Sequence, residues 1–120
     1  KGLSQNMIQD MQAYDVFVSA SYSEGFGLTY IEAISNAMPI ATYANLYGAQ
    51  TLVRDGVNGH LATFGPKNTD EVANVKQLMD AMHHVCDHYD ELSVGASEMA
   101  KQFSNEIIAD QWQKVIVKLL

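Results

Sequence analysis

The apolar run Val16-Phe17-Val18-Ser19-Ala20 is followed directly by a turn with two glycines and then by a helix-forming stretch, and this succession constrains the fold more than any other feature. Apolar residues at consecutive positions over a strand length predict a buried parallel strand, because a half-exposed antiparallel strand would alternate. Ser23-Glu24-Gly25-Phe26-Gly27 supplies the turn. Tyr30 to Ala37 has helical character that Pro39 ends. Pro39-Ile40-Ala41-Thr42-Tyr43 is a second β-prone run, with proline at its first position, where no ladder donor is lost. Strand, helix and strand make a βαβ unit.

The rest of the chain extends this pattern. Ser4 is a candidate N-cap for a short helix over residues 4–13, with Met7, Ile8 and Met11 at spacings of three and four. Residues 44–50, with Tyr47-Gly48, read as a loop, and Thr51-Leu52-Val53 as short helix or irregular structure. Arg54-Asp55-Gly56-Val57-Asn58-Gly59 reads as a turn with an Asn suited to positive φ, before a third strand, His60 to Phe64. Asn68 with Glu71 has the form of a capping box and opens a long helix. Val72, Val75, Met79, Met82, Cys86 and Tyr89 form its apolar stripe, expected to be core. A second helix carries Leu92, Ala96, Met99 and Phe103 past a break near Ser93 to Gly95. A third, Ile107 to Leu119, is capped by Ser104 or Asn105, with Trp112, Val115 and Leu119 expected to pack. The short strands alternating with helices predict a doubly wound parallel sheet.

Composition excludes several functions. Fourteen acids against seven bases give a formal charge of −7, the wrong sign for a phosphate-backbone binder, so no nucleic-acid partner is expected. A single cysteine, Cys86, rules out an internal disulfide framework and fits a reducing, cytoplasmic setting. No apolar run is long enough for a transmembrane segment. The opening Lys1-Gly2 has no initiator Met and reads as the start of a fragment, as does the small number of strands.

In open α/β sheets, ligands sit beyond the carboxyl ends of the strands, where a helix N-terminus favours an anion. Gly25-Phe26-Gly27 falls at such a place. Two residues without Cβ atoms let the backbone approach a phosphate or a sugar hydroxyl, and Glu24 lies at the strand end. Glu32, one helical turn past Leu28, returns a carboxylate to the same mouth, where it can hold the vicinal hydroxyls of a ribose. The same residues also fit a local role, in which Thr29 and Glu32 form a capping box and the glycines serve only the turn. Both readings stand on the residues alone.

Glu24-x7-Glu32, with Gly25-Phe26-Gly27-Leu28 within it, resembles the E-x7-E signature of retaining GT-B glycosyltransferases of the large family 4 type. The likeness extends to Asp15-Val16-Phe17-Val18-Ser19-Ala20-Ser21, to Glu32-Ala33 with Met38-Pro39-Ile40-Ala41, and to Asp55-Gly56-Val57-Asn58-Gly59. It implies an enzyme of two Rossmann-like domains facing across a cleft, of which this chain is similar to the distal half of the C-terminal, donor-binding one. The fold class is then α/β, a partial doubly wound parallel sheet followed by C-terminal helices, with residues 1–120 a single-domain fragment. By position, the resemblance sets Glu24, as the catalytic residue, near the transferred sugar. It sets Gly25, Phe26, Gly27, Leu28 and Thr29 against the diphosphate and sugar hydroxyls, and Glu32 against the ribose. It also implies retention of configuration with no metal and no cofactor besides the nucleotide-sugar substrate.

Where many members have Gly-Gly-x-x-Glu after the second strand, this chain has Tyr47-Gly48-Ala49-Gln50-Thr51. Tyr43 and the donor-loop pair Tyr47-Gly48 are similar to the bacterial subgroup that glucosylates wall teichoic acids or adds N-acetylglucosamine to serine-rich adhesins, although Thr51 replaces its usual Glu. A UDP-sugar, UDP-glucose or UDP-N-acetylglucosamine, is the implied donor. The family's phosphate-binding Arg and Lys lie upstream of the matched region, and Arg54 and Lys67 are not at the matching places. The expected partners are the nucleotide sugar, an N-terminal GT-B domain and a sister subunit. The alternative is a non-catalytic GT-B-like partner that binds an acceptor or a sister glycosyltransferase. His84 and His88 have the i, i+4 spacing of a metal pair, but a solvated helix face is the simpler reading.

Overall fold

The computed structural model describes residues 4–44, 47–63 and 70–120. In chain order the elements are α1 (Met7–Met11), β1 (Phe17–Ser19), α2 (Leu28–Ser35), β2 (Ile40–Tyr43), α3 (Gly48–Leu52), β3 (Gly59–Ala62), α4 (Glu71–Asp87), α5 (Tyr89–Ala100), a 3₁₀ turn at Lys101–Phe103, and α6 (Asn105–Leu119). The three strands form one parallel sheet in the order β1-β2-β3, with Phe17 opposite Ile40 and Ile40 opposite Gly59. Helices cover both faces. On one, Tyr30, Ala33 and Ile34 of α2 pack with Ile40, Ala49, Leu52 and, from α5, Ala96 and Met99. On the other, Ala41, Tyr43 and Ala62 meet Ala81 and Val85 of α4 and Leu92 of α5. This is the doubly wound arrangement that the alternating strands and helices predict.

The central strand β2 is buried along its whole length. The expectation of full burial fails for β1, whose Val18 is 42% exposed, because β1 is an edge strand among those described and α4 lies over β2 and β3. Pro39 precedes β2, and its carbonyl accepts the Phe17 N–H at 3.0 Å. Helix α2 ends before that proline by its own chemistry. Met38 N–H reaches back to the Ala33 carbonyl and Ala37 N–H to that of Ile34, both at 3.0 Å, with Ala37 left-handed at φ 55°. These are the paired bonds of a Schellman closure.

Local chemistry moves several other boundaries. Asn6, not Ser4, caps α1, accepting the Gln9 N–H at 3.2 Å. In the turn before β3, Gly56 takes the positive φ, not Asn58. The Asn58 side chain instead accepts from Arg54 N–H at 2.7 Å and donates to the Leu52 carbonyl at 2.9 Å, fully buried. Strand β3 begins at Gly59, and Phe64 lies outside the described residues, as does Asn68. Asp70 caps α4, accepting from Ala73 N–H at 3.0 Å.

The expected stripe of α4 is not its buried face. Val72, Val75, Met79 and Cys86 are exposed and Tyr89 falls at the start of α5, while Asn74, Ala81 and Val85 are buried, with Leu78 and Met82 beside them. Small residues let the helix approach the sheet closely, and the larger apolar side chains flank that contact. The helix break falls at His88, not near Ser93 to Gly95. Gly95 serves a close approach, since a Cβ there would lie 1.8 Å from the Val57 carbonyl oxygen. Ser104 caps α6, but Trp112, Val115 and Leu119 are exposed and α6 buries no residue.

A left-handed backbone costs an L residue about 1–2 kcal/mol, and the greater freedom of glycine in the unfolded chain returns about 0.4–1 kcal/mol of any relief. Ala37→Gly is therefore expected to stabilise the protein by roughly 0.5–1 kcal/mol, read as a higher Tm. A lower Tm would show that Ala37 carries no strain.

Candidate functional site

The turn between β1 and α2 lies beyond the carboxyl ends of the strands, and one residue fixes it. Gly27 is the N-cap of α2 with φ 85° and ψ 58°. A Cβ on Gly27 would sit 2.8 Å from Cδ2 of Tyr30, so the glycine leaves room for that ring as well as adopting the left-handed backbone. Tyr30 is fully buried. Its hydroxyl donates to Ser19 Oγ at 3.3 Å and shares a hydrogen bond with Thr42 Oγ1 at 3.1 Å, and its ring meets Phe17 edge-on with centroids 5.9 Å apart. The start of α2 is thereby fastened to the ends of β1 and β2.

The capping-box reading is overturned. Thr29 lies inside α2, whose cap is Gly27 and has no side-chain cap bond. Among the described residues the Glu32 carboxylate makes no hydrogen bond or ion pair. It stays half-buried on the second turn of α2, free for a ligand. Glu24 is also half-buried, and its backbone pairs with that of Tyr47 in an isolated parallel bridge. The Gly48 N–H donates to the Glu24 carbonyl at 3.4 Å, and a Cβ on Gly48 would come within 2.9 Å of Glu24 Cγ. Gly48 therefore lets the stem of Glu24 lie against the start of α3. Around these acids Phe26 is 51% exposed and Leu28 68%. The structure thus gathers Glu24, Gly25, Phe26, Gly27, Tyr47 and Gly48 at one mouth, with Leu28, Thr29 and Glu32 on the first turns of α2.

Gly25 differs from the other described glycines. A Cβ there would meet nothing within 4 Å, and its φ is not positive. The fold itself has no need of a glycine at this position.

Tyr22, which belongs to none of the motifs named above, stands at the same mouth. Its ring lies 5.2 Å from that of Tyr43 at the end of β2, inclined by 32°. Burial first, and then Tyr22 beside it, hold the Tyr43 phenol above its ordinary pKa. An aromatic residue two positions before Glu24 was the available signal. Arg54 belongs to the turn whose Asn58 carbonyl accepts the Ile40 N–H, at the amino end of β2 and away from this mouth. Lys67 lies outside the described residues. Lys76, Lys101 and Lys114 pair with acids of their own helical segments.

His84 stacks between His60 and His88, with centroids 4.4 and 4.3 Å away, so the helix pair is joined by a third ring from β3. Asp55 Oδ1 lies 2.9 Å from His60 Nδ1, an ion-pair distance without hydrogen-bond alignment. Among the described residues no group of three or more His, Cys, Asp or Glu could hold a metal ion. No helix among them is long and apolar enough to cross a membrane.

Comparison with known proteins gives a concordant result. The family model described as Glycosyl transferases group 1 matches residues 2–99. The UDP-N-acetylglucosamine–peptide N-acetylglucosaminyltransferase GtfA subunit of Streptococcus pneumoniae is 35% identical over 113 residues, covering 89% of this chain and 22% of that protein. The poly(glycerol-phosphate) alpha-glucosyltransferase of Bacillus subtilis is 32% identical over 115 residues, covering 93% of this chain and 16% of that protein. The crystal structure of the pneumococcal O-GlcNAc transferase GtfA in complex with UDP and GlcNAc superimposes with a TM-score of 0.82 at 27% identity, over 98% of this chain and 23% of that one. The chain thus spans about a fifth of the length of these relatives.

The two glycines of the turn should separate on substitution. Gly27→Ala combines left-handed strain with a clash on the Tyr30 ring and is expected to cost about 2–4 kcal/mol. Gly25→Ala is expected to stay within about 0.5 kcal/mol of the unaltered protein. Denaturant unfolding of both variants checks this, and equal losses would contradict the geometry.

Proposed function

We propose, from the premise that this chain belongs to the group 1 glycosyl transferases, that it is the part of a GT-B glycosyltransferase that binds the nucleotide-sugar donor. The observation that carries this reading is Gly25. It stands between Glu24 and the cap of α2, and the space where its Cβ would lie is open. A glycine that the fold does not need, at a place where α/β sheets bind ligands, fits close approach of a diphosphate to the backbone.

In this reading the backbone from Gly25 to Thr29 meets the diphosphate and sugar hydroxyls. Glu32, without a partner among the described residues, takes the ribose hydroxyls. Glu24 faces the transferred sugar, and Tyr47-Gly48 closes the same mouth. The donor is a UDP-sugar, a choice supported by the UDP-N-acetylglucosamine in the name of the pneumococcal relative and the UDP bound in its solved counterpart. Transfer retains configuration and needs no metal. The acceptor hydroxyl attacks the anomeric carbon from the face that the diphosphate leaves. The bond from that carbon to the phosphate oxygen breaks as the new glycosidic bond forms, and the departing diphosphate takes the acceptor proton. Neither acid becomes a covalent nucleophile.

Basic groups that would neutralise the diphosphate, and the opposing N-terminal domain, belong to the rest of the enzyme. The 120-residue chain alone is expected to be inactive, and turnover by it would contradict this. The setting is cytoplasmic, where nucleotide sugars are held, and a sister subunit is a natural partner given that the pneumococcal relative is itself named a subunit. Thr51, exposed on α3 in place of the subgroup's usual Glu, favours a second reading, a non-catalytic partner that binds an acceptor or a sister glycosyltransferase.

Titration of the full-length protein with UDP, UDP-glucose and UDP-N-acetylglucosamine tests the assignment. Loss of a hydrogen bond to a charged group is worth about 1.5–3 kcal/mol, so Glu32→Ala is expected to weaken UDP binding by roughly 10- to 100-fold. Glu24→Ala is expected to spare UDP affinity and slow transfer. Unchanged UDP affinity in Glu32→Ala would sink the ribose role.

A further inference from the structure

Two non-glycine residues among those described hold a positive φ, Ala37 at 55° and Tyr47 at 72°. The fold accounts for the first. Ala37 closes the end of α2 through the two backbone bonds described above, and its carbonyl accepts the Ser93 hydroxyl at 2.8 Å. The backbone of Tyr47 serves as the N-cap of α3, its carbonyl accepting the Thr51 N–H at 2.9 Å, but no described contact engages its side chain. Its φ of 72° and ψ of −89° lie near the strained form of the γ-turn, a conformation rarely occupied by any residue. Its side chain is 74% exposed and makes no hydrogen bond or ring contact with the described residues. A glycine would relieve the backbone and remove the exposed ring together. A strained backbone that carries an exposed ring with no partner among the described residues, beside the proposed donor site, points to something outside the chain for that ring to meet.

The place of Tyr47 narrows what that is. Its backbone bridges that of Glu24, and the next residue, Gly48, lies against the Glu24 stem. Gly27 and the start of α2, which would take the diphosphate and ribose, follow Glu24 along the chain, whereas Tyr47 reaches it from the segment after β2. Gly48 lies against the Phe26 carbonyl as well, but the backbone bridge of Tyr47 itself is to Glu24, so the ligand group set beside Tyr47 is the one assigned to Glu24, the transferred pyranose. A pyranose presents a face of C–H groups rimmed by hydroxyls, and a tyrosine answers it with an apolar ring and a polar tip.

We infer that Tyr47 is a specificity-determining residue for the transferred sugar, its strained backbone holding the phenol against the pyranose of the donor while other groups hold the nucleotide. The inference rests on the reading of Glu24 to Glu32 as the donor site. Glucose and N-acetylglucosamine share the C–H face, so the ring contributes to both, and the hydroxyl at its tip adds the preference between them.

Calorimetric titration of the full-length protein with UDP, UDP-glucose and UDP-N-acetylglucosamine, for the unaltered protein and for Tyr47→Gly and Tyr47→Phe, tests this. Tyr47→Gly is expected to raise Tm, to weaken the preferred UDP-sugar by about tenfold, and to leave UDP within about twofold, the size of effect a stacked ring supplies. Tyr47→Phe is expected to keep the affinity for both sugars and to narrow the difference between them. A parallel loss for UDP and UDP-sugar, or no loss for either, would overturn the inference. A lower Tm in Tyr47→Gly would overturn its argument from strain. If the unaltered protein bound none of the three ligands, the donor-site reading itself would fall, and Tyr47's role with it.

Discussion

The contact between Gly27 and the ring of Tyr30 sets the rest of the site. The missing Cβ admits the ring to within van der Waals contact, and the left-handed backbone at Gly27 turns the chain into α2. Tyr30 then buries its hydroxyl between Ser19 and Thr42, the residues that end β1 and nearly end β2. A buried hydroxyl left without these partners would cost far more than its net bond contributes. The direction of α2, and with it the position of Glu32 relative to Glu24, follows from that one anchor.

Much of this was legible in the sequence because the relevant signals are local. The strand-turn-helix order, the parallel pairing and the cap at Ser104 come from short stretches whose chemistry leaves few choices. The role of Gly27 was half legible. A glycine before a helix is easily read, but the ring it accommodates lies three residues on and is recognised only when its direction is known. Glu32 shows the same limit. Thr29 and Glu32 have capping-box spacing, and only the position of the cap at Gly27 shows that the carboxylate is left free.

The misreadings lie where packing, not propensity, decides. In α4 the large apolar residues repeat with helical spacing, yet the sheet takes the face of Asn74, Ala81 and Val85 because the smaller side chains permit closer approach. Spacing alone cannot rank two adjacent apolar faces of one helix. Gly95 had the composition of a helix break and instead admits the Val57 carbonyl to the surface of α5. The apolar side chains of α6 follow the pattern of a packed helix, while the exposure of Trp112, at 64%, is a property of tertiary structure that no local pattern encodes.

The group 1 glycosyl transferase fold thus arises here from a small sheet whose carboxyl end carries an acid, a glycine turn and a second acid in a fixed order. The central claim is that this turn holds a nucleotide sugar, and the most direct measurement is a crystal structure of the full-length protein with UDP. The account predicts the diphosphate against the backbone of Gly25 to Thr29, with the ribose hydroxyls on the Glu32 carboxylate. UDP bound elsewhere, with Glu32 turned away from it, would contradict the account.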